Sequence, residues 1–287
     1  QPAFIQCIIN AVGLDNDSKI HDTPMAVNPE LPSVVPRQES WNYHSLIGML
    51  TYLANTTWPD IAFSVHHCAT QCINPSNRDE ILVKQICRYL LRMHDRGYII
   101  NPACKATSID CYVDADFARA WHLLSRSDPK SVTSRTGYII CYAGCPILWK
   151  SKLQTEIALS MTEAEYIALS QSSWDLIPLR DLFAEIAEPL NLPKTAVNTY
   201  SPAYEDNKGA QELANTEKFR PRTKHIAIKY HHFRQYVKKG IMRVLRAHTD
   251  KQLSDILINA LLNDAFQNQL KRLLGWWRVT MRASIIS

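Results

Sequence analysis

The chain has 287 residues, 46% hydrophobic and 21% charged, with 32 Lys plus Arg against 27 Asp plus Glu. That composition excludes a wholly disordered or fibrous chain, and the length allows one large domain or two small ones with a buried core. No apolar run reaches the ~18 residues of a membrane helix, and the opening QPAFIQCIINAVGLDNDSK has no basic stretch leading to a small-residue cleavage site, so neither a membrane partner nor a secretion signal is expected.

Residues 1–40 mix short apolar stretches with prolines at 24, 29, 32 and 36 and no sustained period, which reads as a tail and linker. From Trp41 the pattern turns helical, with Leu46, Met49, Leu50 and Leu53 on one stripe. Three helices are expected near 42–54, 58–72 and 77–93. Pro59 suits a first turn, and Asn77 with Glu80 suits a capping box. These make residues 41–104 a small helical segment.

After residue 104 the period switches to two. Ile109, Cys111 and Val113 alternate with Asp110, Tyr112 and Asp114, a half-buried strand ending at an acid. Strands near 137–142 and from 147 toward 160 follow through hairpin-like connections. Then come a long helix over 162–186 bent at Pro178 and a strand near 197–205. Helices over 207–215 and 224–239 precede a strand over 241–246, with Gly240 as a helix stop. Thr249-x-x-Gln252 caps a last helix to about 262. The order β-β-β-α-β-α-α-β-α predicts an α/β domain over 105–276, a mixed five-stranded sheet with flanking helices. Residues 277–287 match nothing.

The charge is unevenly placed. Residues 218–246 hold ten Lys or Arg and no Asp or Glu, so the remainder is net acidic. A run of that length without one acid points to a polyanion, and a phosphate backbone is the natural partner. The eight cysteines follow no compact disulfide framework and read as reduced thiols. Two C-x3-C pairs, Cys68/Cys72 and Cys141/Cys145, raise a zinc site with His66 or His67 as an alternative. Small buried hydrophobes are the plainer reading of Cys111 and Cys141.

Four acids occupy similar places: Asp114 toward the end of the first strand, Glu165 in the first turn of the long helix, Asp206 just after the fourth strand, and Asp255 in the last helix. Strand ends and helix first turns meet at one edge of such a sheet. Carboxylates gathered there repel one another unless divalent cations neutralise them, and Mg²⁺, an oxygen-seeking ion completed by substrate phosphate, fits. Two such ions can activate water and stabilise the leaving oxygen of a phosphodiester. Each acid has a plainer role open to it: Glu165 in a Thr162-x-x-Glu165 capping box, Asp206 as a cap or turn, Asp255 as surface charge.

Seven ordered blocks carry a resemblance: SLIGMLTYLANTTWPDIAFSV (45–65), CYVDADFA (111–118), SRTGYII (134–140), CPILWKSKLQTEIALSMTEAEYIALS (145–170), EDNKGA (205–210), RPRTKHIAIKYHHFR (220–234) and QLSDIL (252–257). Together they resemble the C-terminal part of copia-type retrotransposon polyproteins, the end of reverse transcriptase with its ribonuclease H domain, over nearly the whole chain to about Trp276. The resemblance implies a ribonuclease H-like fold for 105–276 and a thumb or connection segment before it. It also implies hydrolysis of the RNA strand of RNA/DNA hybrids with two Mg²⁺ ions, for which Mn²⁺ substitutes, leaving a 3′-hydroxyl and a 5′-phosphate. The family orders its acids Asp, Glu, Asp, Asp, and the matching residues are Asp114, Glu165, Asp206 and Asp255. Glu163 and Asp116 are supporting neighbours. Related integrases and transposases order theirs Asp, Asp, Glu, and the second-place Glu165 argues against them.

On the same reading Arg220, Arg222, Lys224, Lys229 and His232 hold the hybrid's phosphates, and His248 is placed like a loop histidine that assists product release. The implied partner besides the hybrid is the remainder of the polyprotein, in a cytoplasmic virus-like particle with a nuclear stage left open. The polymerase's Tyr-x-Asp-Asp motif does not occur in these residues, and in YVDADF the acids are separated by Ala115, so no DNA polymerisation is expected. Arg119, Met161 and ILINALLN (256–263) depart from the family's pattern. They set a second reading beside the enzyme, a decayed nucleic-acid-binding or connecting module with the same fold.

Overall fold

The computed structural model describes residues 1–15, 17–37, 40–102, 108–118, 129–191, 200–216, 231–248 and 252–276. The chain forms two units, one of residues 1–100 with 259–287 and one of residues 101–258.

The first unit is helical: α1 (Pro2–Ala11), α2 (Tyr43–Thr56), a 3-10 turn (Pro59–Ile61) leading into α3 (Ala62–Ala69), and α4 (Asn77–Met93). The expected tail therefore contains a helix. Ile5, Ile8 and Ile9 are fully buried on one face of α1, which packs on α4 and α2. Three isoleucines at i, i+3 and i+4 span too short a run to stand out as a period. The α4 cap also differs. Ser76 is the N-cap, its partner is Asp79, and Asp79 Oδ2 accepts from both Ser76 N and Ser76 Oγ at 2.7 Å. Asn77 instead ties down the preceding segment, accepting from Val35 N and donating to Ser33 O, while Glu80 pairs with Arg37 Nε at 2.9 Å.

The second unit is built on β1 (Ile109–Asp116), β2 (Arg135–Tyr142), β3 (Cys145–Leu153), β4 (Ser201–Glu205) and β5 (Met242–Arg246), in the order β3-β2-β1-β4-β5. β1, β2 and β3 are antiparallel neighbours, whereas β1, β4 and β5 run parallel. This is the mixed five-stranded sheet expected, with the strand order and directions of the ribonuclease H-like fold. The helices are α5 (Met161–Ala187), α6 (Lys208–Asn215), α7 (Arg234–Lys238) and α8 (Asp255–Ile258). α5 passes through Pro178 as one helix. Its Ala164, Ile167, Ala168 and Leu169 bury the β1 face formed by Ile109, Cys111, Val113 and Ala115. Alternation puts Asp114 on the opposite face. Gly240, at φ +70°, ends α7 as expected.

The last helix departs from expectation. α8 is one turn long, and the chain then enters α9 (Asn263–Leu273), which belongs to the first unit. There Phe266 meets Tyr89 edge-on, with ring centroids 5.7 Å apart, and Leu270 and Leu273 are fully buried. The sheet unit thus closes at Ile258, ahead of the boundary at 276 drawn from sequence. Among the described residues no helix is long and apolar enough to cross a membrane.

Candidate metal centre

β1 delivers Asp114 to the edge of the sheet, where it is 5% exposed and its Oδ1 accepts from Ala115 N at 2.9 Å. α5 delivers Glu165, and the local capping explains how. The N-cap is Ser160, whose Oγ accepts from Glu163 N at 3.1 Å, while Glu163 Oε2 accepts from Leu159 N at 2.8 Å. That reciprocal pair satisfies the open helix end. The plainer role open to Glu165, a Thr162-x-x-Glu165 box, is therefore not needed to cap the helix, and Glu165 is 3% exposed beside Asp114. Asp206 follows β4 directly. It is not the cap of α6, because Asn207 accepts from Ala210 N at 3.0 Å.

Carboxylate oxygens of Asp114, Glu165 and Asp206 lie within 4.8 Å of one another, the one such cluster of possible metal ligands among the described residues. Asp255, the first residue of α8, reaches the group through a hydrogen bond with Asp114. All four acids singled out in the sequence are brought together. A fifth, Glu205, was not anticipated. It ends β4 fully buried, its Oε1 accepting from Asn207 N at 3.0 Å. The signal was an acid at a strand's last position beside Asp206, masked by its being read as part of the strand.

Burial pushes the carboxyl of Asp114 well above the usual carboxylate range, helped by its hydrogen bond with Asp255 and the charges of Asp255, Asp206 and Glu205. Burial does the same to Glu165, with Glu205, Asp114 and Asp206 adding to it. Glu205 is also raised by burial, with the Asn207 amide opposing. Oε2 of Glu165 and Oε2 of Glu205 are buried without a hydrogen-bond partner. Buried acceptors left unpaired among like charges are costly. An all-oxygen, anionic donor set of this kind suits a hard divalent cation, and the cluster can hold one.

The supporting neighbours have local roles. Glu163 belongs to the α5 cap. Asp116 pairs across the sheet with Arg135, whose guanidinium burial pushes down to about 10. The cysteines form no metal cluster among the described residues, and Cys68, Cys141 and Cys145 are buried and outside any disulfide. Arg220, Arg222, Lys224 and Lys229 lie outside the described residues, as do Arg119, His225 and Thr249. His232 is described, and it packs on α5. Trp174 Nε1 donates to its Nδ1 at 3.2 Å, and its Nε2 faces Ser173 Oγ at 3.2 Å. Ser173 Oγ donates to Ser170 O, so the imidazole carries its proton on Nε2, and burial lowers its pKa. A neutral ring with both nitrogens engaged is a packing group. His248 follows β5 at an exposed position.

No protein-family model matches the chain. It is 34% identical over 248 residues to the retrovirus-related Pol polyprotein from transposon RE1 of Arabidopsis thaliana, covering 86% of this chain and 16% of that protein. It is 30% identical over 286 residues to the corresponding polyprotein from transposon TNT 1-94 of Nicotiana tabacum, covering 96% of this chain and 20% of that protein. The chain thus spans about a fifth or less of the length of these relatives. Among solved structures, LC11-RNase H1 from compost overlays with 17% identity and a TM-score of 0.35, over 57% of this chain and 99% of that one.

Proposed function

Because the chain belongs to the retrotransposon Pol polyproteins, we propose that residues 101–258 are the ribonuclease H of such a polyprotein, an endonuclease that hydrolyses the RNA strand of RNA/DNA hybrids with divalent metal. The observation that carries this reading is the meeting of Asp114, Glu165 and Asp206 within 4.8 Å, two of them buried. Asp114 lies near the carboxyl end of β1 and Asp206 just past that of β4, the side of the parallel strands on which open α/β sheets bind ligands.

Asp114, Glu165, Asp206 and Asp255 would hold two Mg²⁺ ions, or Mn²⁺ in their place, which when bound lower the pKa of water and stabilise the leaving oxygen. The chain's own contribution is to fix the acceptors. The Ser160–Glu163 cap holds the first turn of α5, Asn207 holds the first turn of α6, and Glu205 backs Asp206 and adds negative field. Acceptors preorganised in this way would hold cations that in turn bind the scissile phosphate. The basic run containing Arg220, Arg222, Lys224 and Lys229 supplies charge for the hybrid's backbone. His232 itself packs on α5 through Trp174 and Ser173.

The test is cleavage by the purified chain of RNA labelled in three forms: hybridised to DNA, paired with RNA, and single-stranded. Each is assayed with Mg²⁺, with Mn²⁺ and with chelator. Metal-dependent cutting of the hybrid alone is expected, with 5′-phosphate ends. Salt-sensitive hybrid binding without cutting in either metal would favour a decayed binding module instead.

A further inference from the structure

The strands that carry the site separate where the carboxylates begin. β1 and β4 pair only at Cys111↔Ala203 and Tyr112↔Tyr204, although β1 continues against β2 as far as Asp116. The fully buried side chain of Gln252 reaches into that split. Its Nε2 donates to Val113 O at 2.6 Å and to Tyr204 O at 3.3 Å. One amide group thus replaces the ladder bonds the parting strands give up. Val113 immediately precedes Asp114, and Tyr204 immediately precedes Glu205. The expected Thr249-x-x-Gln252 cap leaves no such task for Gln252.

Three residues beyond Gln252, α8 begins at Asp255 and lies over Gly137, which pairs with Asp114 across the β1–β2 ladder. A Cβ at position 137 would meet Ile258 Cγ2 at 2.6 Å, Leu257 Cβ at 3.0 Å and Ser254 O at 3.2 Å. Only a residue without Cβ lets α8 come this close. Ser151 Oγ fastens the other end of the turn by donating to Leu257 O at 2.6 Å.

We propose that Gln252 and Gly137 are positioning residues of the carboxylate centre. Gln252 sets the spacing between the β1 and β4 acids, and Gly137 sets the approach of Asp255 to Asp114. The proposal rests on the metal-centre reading above. Neither residue belongs to the carboxylate cluster, so each acts through the geometry of the acids. Loosening that geometry weakens metal binding while leaving every carboxylate present.

The experiment uses the full chain, with Gln252→Met, Gly137→Ala and the double variant Gly137→Ala/Ile258→Ala. Mn²⁺ affinity is read by calorimetry, the Mg²⁺ dependence of hybrid cleavage by titration, and the folded state by the metal-free Tm. Gln252→Met is expected to raise both the Mn²⁺ dissociation constant and the half-saturating Mg²⁺ concentration about tenfold, the size typical of lost support around metal ligands. Its kcat at saturating metal should change far less. Gly137→Ala should show the same pattern, and removing Ile258 Cγ2 in the double variant should restore part of the affinity. Unchanged metal affinity in either folded single variant overturns the proposal for that residue, and a loss in Gly137→Ala that the double variant does not relieve overturns the steric account. A wild-type chain that binds Mn²⁺ without cleaving overturns only the nuclease reading, since the calorimetric comparison still decides the positioning roles. A wild-type chain that binds no Mn²⁺ overturns both.

Discussion

Buried carboxylates set ionisation against folding in this molecule. Asp60 is held in the 3-10 turn before α3, where Tyr89 Oη donates to its Oδ2 at 2.5 Å. Burial raises its carboxyl from 3.8 to about 6. A carboxyl raised on folding contributes stability that is fully present below the unfolded value and lost as the pH climbs through the folded one. Asp60→Asn should therefore stabilise the protein by about 1–3 kcal/mol at pH 7, an advantage that vanishes below pH ~4. Urea unfolding of both proteins across that range measures it. At the metal centre the same sign applies. Asp114 is raised by burial and by its acidic neighbours, so ionising it costs stability in the absence of a cation. Asp114→Asn should raise the metal-free Tm at pH 7 while abolishing the Tm increase that Mn²⁺ gives the wild type. A lower metal-free Tm together with a retained Mn²⁺ shift would contradict this view of the site. The four acids were legible in the sequence through their residue types, their places at strand and helix ends, and the motifs around them. Glu205 and Gln252 were not, because their roles depend on where β1 and β4 part, a tertiary feature no local spacing encodes.

At the scale of elements, strands and long helices were legible because their periods are sustained. The starts of α2, α4, α5 and α6 fell within a residue of expectation, whereas the capping residues of α4 and α5 were placed one and two positions late. Both misplacements have one cause. In SNRDE and SMTEAE several Ser, Thr, Asn, Asp and Glu residues satisfy the capping spacing at once. The structure selects Ser76 with Asp79 and Ser160 with Glu163. For α5 the choice is functional, since it leaves Glu165 to the site. Ser160→Ala should then cost about 1 kcal/mol, as N-cap losses do. Thr162→Ala should leave the α5 cap intact, and equilibrium unfolding of the two variants distinguishes the assignments. α1 was missed for a different reason. Its three buried isoleucines gain their meaning from α2 and α4, distant in sequence.

At the scale of the whole molecule, a helical unit and a mixed-sheet unit were both expected, and both form. The return of α9 to the helical unit was not expected. Phe266 finds Tyr89 across a long stretch of chain, and amphipathic spacing alone does not say which unit a helix will join. The sheet unit carries the chemistry, and its strand order brings residues from β1, α5, the end of β4 and α8 to one place. The most direct measurement is therefore Mg²⁺-dependent cleavage of RNA in an RNA/DNA hybrid by the wild-type chain beside Asp114→Asn and Asp206→Asn. Cutting by the wild type, with a loss of at least about a hundredfold in both variants, is the predicted result. Equal cutting by all three proteins, or none by the wild type in either Mg²⁺ or Mn²⁺, would contradict the assignment of these carboxylates to hybrid hydrolysis.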